Sequence, residues 1–100
     1  MRMLTIVCRA RFDDEVLVLM NEQGIKGYTV LSGVGGSGET GAVSGHGWTD
    51  RNTLFLVALD DAQMAILVTA VKALHARLVE EHRGHEVPLK AFLHPCEVVL

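Results

Sequence analysis

GIKGYTVLSGVGGSGETGAVSGHGWTD, residues 24–50, is the stretch on which the reading of the fold turns. Its opening alternates like a strand, with Tyr28, Val30, Ser32 and Val34 on one face and Thr29, Leu31 and Gly33 on the other. The strand then runs into a glycine-laden loop. From Gly33 to Gly47 lie seven of the ten glycines, the only tryptophan is Trp48, and no Lys or Arg falls between Tyr28 and Asp50. A loop of that length is either functional or a flexible connection, and both readings stand at this point.

On either side the chain reads as ordinary secondary structure. Residues 3–8, MLTIVC, are short, apolar and β-branched, which predicts a strand. Asp13, Asp14 and Glu15 mark a helix start, Val16, Leu19 and Met20 recur at helical spacing, and Gly24 is placed to stop the helix. The second strand is expected over residues 25–34. Residues 53–59, TLFLVAL, form an apolar run of strand length, expected to be buried on both faces. Asp60 and Asp61 announce a second helix, whose Met64, Leu67, Val68, Val71, Leu74 and Leu78 make an amphipathic stripe ending before Gly84. Residues 87–93 and 97–100 are expected as two short strands, separated at Pro95.

The resulting order, β-α-β, loop, β-α-β, is that of an α+β, ferredoxin-like βαββαβ sandwich: an antiparallel sheet with two helices on one face, one domain over residues 1–100. Two helices cover only one face of such a sheet. Because residues 25–34 and 53–59 are apolar on both faces, the uncovered face would be a large apolar patch, so a homo-oligomer is expected.

Composition narrows the function classes. A net charge of −3 and no basic cluster along the sequence argue against nucleic acid, and no run of 18 apolar residues suggests a membrane span. The apolar run before Arg9 is too short for a signal-peptide core. Two cysteines, Cys8 and Cys96, fit a cytoplasmic protein with reduced thiols, and a bridge between them stays open.

Several of these residues carry a resemblance. GIKGYTV at residues 24–30, Gly35 five residues on, Asp13-Asp14 before the first helix and LFLVALDD closing on Asp60-Asp61 resemble the signature of the PII signalling proteins, over essentially the whole chain. The resemblance implies a homotrimer with inward-packed sheets and ligand clefts between subunits. It implies a regulator and not an enzyme, binding an adenine nucleotide (ATP, ADP or AMP). Gly35, Gly36, Ser37 and Gly38 would line one wall of the cleft and Arg83 the other. The loop at about residues 36–51 would be the T-loop, acting on a protein target such as a membrane transporter. Two departures stand out: this loop is short and has no tyrosine, and no arginine follows Arg83 where the family often carries them. The chain is therefore similar to a divergent PII-like protein more than to a nitrogen sensor.

Other chemistry competes with simpler roles. Gly33-Val34-Gly35-Gly36-Ser37-Gly38 follows a strand but has neither a GxGxxG register nor a GK[ST] ending, so it is no Rossmann or P-loop fingerprint. Its amides could still close on an anion, or the segment could be a plain connection. Five histidines raise a metal alternative, in a CutA-like role in cation tolerance or efflux: a divalent or copper ion at His46, His85, His94 and Cys96, with His82/His85 and His94/Cys96 as close pairs that Glu39, His46 and Cys8 could join across subunits. No CxxC or HExxH spacing supports it. The doublets Asp13-Asp14 and Asp60-Asp61 are expected to be helix caps, not catalytic dyads. Trp48 either anchors a partner or folds back on its own subunit.

Overall fold

The computed structural model describes residues 1–38, 41–43 and 51–100, with side-chain exposure for residues 1–37 and 51–100. The elements run β1 (Arg2–Arg9), a 3-10 turn (Ala10–Phe12), α1 (Asp13–Glu22), β2 (Thr29–Val34), β3 (Gly36–Gly38), β4 (Gly41–Val43), β5 (Asn52–Leu59), α2 (Asp61–Glu81) and β6 (Leu89–Pro95). The main sheet has the order β2-β5-β1-β6, every neighbour antiparallel. This is the ferredoxin-like plan.

Alternation along β1 decides which face is covered. Leu4, Ile6 and Cys8 are buried, and so are their β5 partners Val57, Phe55 and Thr53. Onto this face pack Val16, Leu19 and Met20 of α1 and, from the expected α2 stripe, Met64, Leu67, Val71, Leu74 and Leu78, in one apolar core against which Val68 is only partly buried. The opposite face carries Met3, Thr5, Val7, Leu54 and Leu56, all only half-buried, with Leu31 and Phe92 exposed. So β5 is buried on one face only within this chain, not on both.

The local stops explain where elements begin. Gly24 takes φ 70°, Ile25 N–H donates to Met20 O at 2.9 Å, and Gly24 N–H donates to Asn21 O at 3.1 Å. This left-handed helix stop is one that glycine forms without strain. Ile25 is thereby buried against the core beside Met20, which is why β2 starts at Thr29 and not at residue 25. Asp60 caps α2 as expected, its Oδ1 accepting from Gln63 N–H at 2.8 Å. Asp13 does not cap α1. The 3-10 turn feeds directly into the helix, leaving Phe12 at the cap position, and Asp13 instead accepts a hydrogen bond from Thr53 Oγ1 at 3.2 Å, tying α1 to β5.

Two strand expectations are corrected. A single β6 replaces the two expected strands, and residues 97–100 form none. Pro95 is tolerated because it is the last residue of an edge strand, opposite Arg2, where no further partner needs its missing N–H. Residues 36–38 and 41–43, expected as loop, pair as a small antiparallel hairpin.

By length and composition α2 resembles a membrane-crossing helix. Its apolar stripe, however, is spent on the sheet, and the outward side carries Lys72 and Arg77. Leu67 is fully buried whereas Ile66 is 61% exposed. Accordingly Leu67→Ala should lower stability by about 2–5 kcal/mol, and Ile66→Ala should stay within about 0.5 kcal/mol, both read by urea denaturation.

Candidate functional site

Antiparallel pairing brings the candidate stretches to one end of the sheet. The end of β2, the start of β5, the end of β1 and the start of β6 all lie there, together with the loop that leaves α2. The expected walls are therefore at the same end but on opposite edges. Gly35–Gly38 continues from β2, and Arg83 belongs to the segment leading into β6. The order β2-β5-β1-β6 puts three strand spacings between those edges, roughly 14 Å. One chain does not close the cleft by itself.

The glycine wall begins at a bulge. Between Leu31 and Val34 the register of β2 on β5 gains one residue, and Gly33 adopts φ 68°. Such an extra residue bends the strand and re-aims the segment beyond it. Arg51 Nη1 donates to Gly33 O at 3.4 Å. Beyond the bulge Gly36 faces Val43, Ser37 faces Ala42 and Gly38 faces Gly41 in the hairpin.

Both walls rest on the turn after β1. Arg9 N–H donates to Pro88 O at 3.0 Å and Ala10 N–H to Arg51 O at 2.7 Å. Arg9 Nε reaches Asn52 Oδ1 at 3.3 Å. The Arg11 guanidinium lies 5.0 Å from the Phe12 ring centre and donates to Glu86 O at 3.5 Å. His82 meets Phe12 edge-on at 5.4 Å and its Nδ1 donates to Leu78 O at 2.9 Å. The loop from α2 to β6 is thus seated on residues 9–12.

Cations that look scattered in the sequence gather here. Arg9 and Lys90 share the open face of the sheet, since Lys90 opposes Val7 and Arg9 lies two residues further along. Arg51 and Arg11 flank them. Arg9, Arg11, Arg51 and Lys90 come from three distant parts of the chain, and strand pairing sets them all at this end of the sheet. The available sequence signal was modest, a cation at or beside each strand end. Arg83 is exposed and paired with Glu80 one helical turn back.

The metal candidates do not converge within the chain. His85 precedes β6, while His94 and Cys96 lie at its other end, roughly 20 Å away along the strand. His46, Glu39 and Trp48 fall outside the described residues. Among the described residues no three His, Cys, Asp or Glu side chains form a potential metal site. A groove of about 340 Å³ between α1 and α2, lined by Val18, Leu19, Ala70, Ala73, Leu74 and Arg77 among others, includes none of the expected site residues.

Cys8 and Cys96 are both free thiols near opposite ends of β1: Cys8 is opposite Leu89, and Cys96 N–H donates to Met1 O at 3.3 Å. Burial, reinforced by the nearby Asp13 carboxylate, pushes the Cys8 thiol up to about 12. Cys8 is then almost wholly protonated at neutral pH and unreactive. An aromatic disulfide reagent at pH 8 should therefore titrate Cys96 alone in the native protein and both thiols after unfolding.

Comparison with known proteins agrees with this architecture. The nitrogen regulatory protein P-II family matches residues 1–89. Among solved structures, CPII, a nitrogen regulatory PII-like protein from Thiomonas intermedia K12 bound to ADP, AMP and bicarbonate, superposes with a TM-score of 0.68 at 16% identity, covering 93% of this chain and 84% of that one. CPII bound to ADP and bicarbonate gives 0.66 at 18% identity, covering 93% and 84%. A protein described as PII-like and signalling, from Thermus thermophilus, gives 0.59 at 15% identity, covering 93% and 83%. At these identities the likeness is one of fold. No curated protein matches.

Proposed function

This chain belongs to the nitrogen regulatory protein P-II family, and we propose that it is a PII-like signalling protein that binds an adenine nucleotide in clefts between the subunits of a homotrimer. The carrying observation is the placement of the two walls. Gly35, Gly36, Ser37 and Gly38 leave one edge of the sheet and Arg83 approaches the other, both at the same end. A neighbouring copy set edge to edge would bring the glycine wall of one protomer against the 82–88 segment of the next. The open sheet face, with Met3, Val7, Leu31, Leu54, Leu56 and Phe92, offers the apolar surface for that assembly.

The chemistry of the end suits phosphates. Glycine amides come within reach of an anion with no side chain in the way. Arg9 and Lys90 add fixed positive charge on the open face, and guanidinium pairs well with phosphate oxygens. Bound nucleotide would then bias the loop after β2, and that loop would act on a protein target. The CPII structures, which hold ADP, AMP and bicarbonate, make bicarbonate a reasonable second ligand to test.

Titration calorimetry with ATP, ADP, AMP and cyclic AMP, with and without bicarbonate, tests this reading. Binding of at least one nucleotide is expected, weakened about tenfold or more by Lys90→Ala and weakened further as salt screens the pair. Absence of heat with all four would remove the nucleotide claim. Light scattering should give three times the 10.9 kDa chain mass, and Phe92→Asp on the open face should shift the protein to monomer. A wild-type monomer would remove the trimer and its clefts together.

A further inference from the structure

Among the described residues the glycine segment is paired only within its own two-stranded hairpin, which is not hydrogen-bonded to the main sheet as a strand. Four of the six residues from Gly33 to Gly38 are glycine, so the backbone there has wide conformational freedom and almost no side chain to pack. Its trajectory has to be imposed from where it leaves β2. That point is the bulge at Gly33, whose positive φ and extra-residue register take it out of the regular ladder with β5. The hydrogen bond that Gly33 O accepts comes from Arg51 Nη1.

Arg51 is well placed to act as an anchor. Its carbonyl accepts from Ala10 N–H at 2.7 Å, and the next residue, Asn52, pairs with Val34 on one side and Arg9 on the other. Its base is therefore fixed to the central strands while its fork reaches the edge. The side chain is half-buried, so it competes with less water than a surface arginine does.

We propose that Arg51 is a positioning residue, which through the Gly33 carbonyl fixes the bulge that aims Gly35–Gly38 at the ligand, and does not itself carry the ligand's charge. The ligand part of this statement rests on the nucleotide reading above; the bulge part does not. Lysine keeps the charge and can donate to the same carbonyl, so the two roles are separated by exchange at residues 34–38 read together with affinity.

The experiment combines amide hydrogen exchange of the ligand-free protein with ADP titration, for wild type, Arg51→Lys, Arg51→Ala, Gly33→Ala and the double variant Arg51→Ala/Gly33→Ala. Arg51→Ala should speed exchange at residues 34–38 about tenfold or more, with β1 and α2 unchanged, and should weaken ADP about tenfold. In Arg51→Lys exchange and ADP affinity should change together, and the double variant should lose no more than the worse single one. Unchanged exchange at residues 34–38 in Arg51→Ala would overturn the proposal. So would an Arg51→Lys protein that keeps wild-type ADP affinity while its exchange at residues 34–38 is as fast as in Arg51→Ala, since charge alone would then suffice. If the wild type takes up no ADP, the nucleotide reading fails, and the exchange result alone decides the role of Arg51 at the bulge.

Discussion

The pairing of β1 on both sides, with β5 along one edge and β6 along the other, is the constraint from which the remaining structure follows. A strand hydrogen-bonded on both sides has no freedom of register, because a one-residue slip would turn Leu4, Ile6 and Cys8 out of the core. With β1 fixed, β2 is left to the far side of β5, and the two stretches that enter and leave the sheet at the candidate end are forced onto opposite edges. The separation of the two candidate walls is thus a product of topology. It does not depend on the details of either loop.

The turn that ends β1 carries the second consequence. Residues 9–12 accept no long excursion: the 3-10 turn passes straight into α1, and its backbone donors go to Pro88 and Arg51. Each of those residues belongs to a different wall. Contacts of Arg11 and His82 with the ring of buried Phe12 add a side-chain seat for the loop after α2. The same few residues therefore fix both walls relative to the core, while the glycine segment beyond Gly33 contributes backbone and little else. A rigid base with a permissive backbone above it is an arrangement suited to a site that changes state on binding.

The helix face and the open sheet face differ in kind. α1 and α2 are tied by Arg77, which pairs with Glu15 at 2.8 Å and Glu81 at 2.9 Å, and their outward surface is largely charged and small. The other face holds branched and aromatic side chains with only partial cover. Burial of apolar area drives association far more than exposed ion pairs do. The chemistry of the two faces thus separates a surface that prefers another apolar surface from one that prefers water.

How much of this could be seen in the chain alone depends on the range of the interaction. Periodicity and stop signals are local, so the sequence by itself determined the strands around residues 3–8 and 53–59, the stripe of α2, the cap at Asp60, the stop at Gly24 and the ferredoxin-like order. The GIKGYTV stretch and its glycine-rich continuation pointed to the family for the same reason, since a signature is a local pattern. Errors arose where a residue had two local uses. Ile25 looked like strand but completes the helix stop, Pro95 looked like a break but ends an edge strand, and Asp13 looked like a cap but holds Thr53. Tertiary structure alone decided the bulge at Gly33, the gathering of Arg9, Arg11, Arg51 and Lys90 at one end, and the separation of His85 from His94 and Cys96. The physical reason is that register and strand order are set by pairing between residues some twenty to ninety positions apart, and no local pattern carries that information.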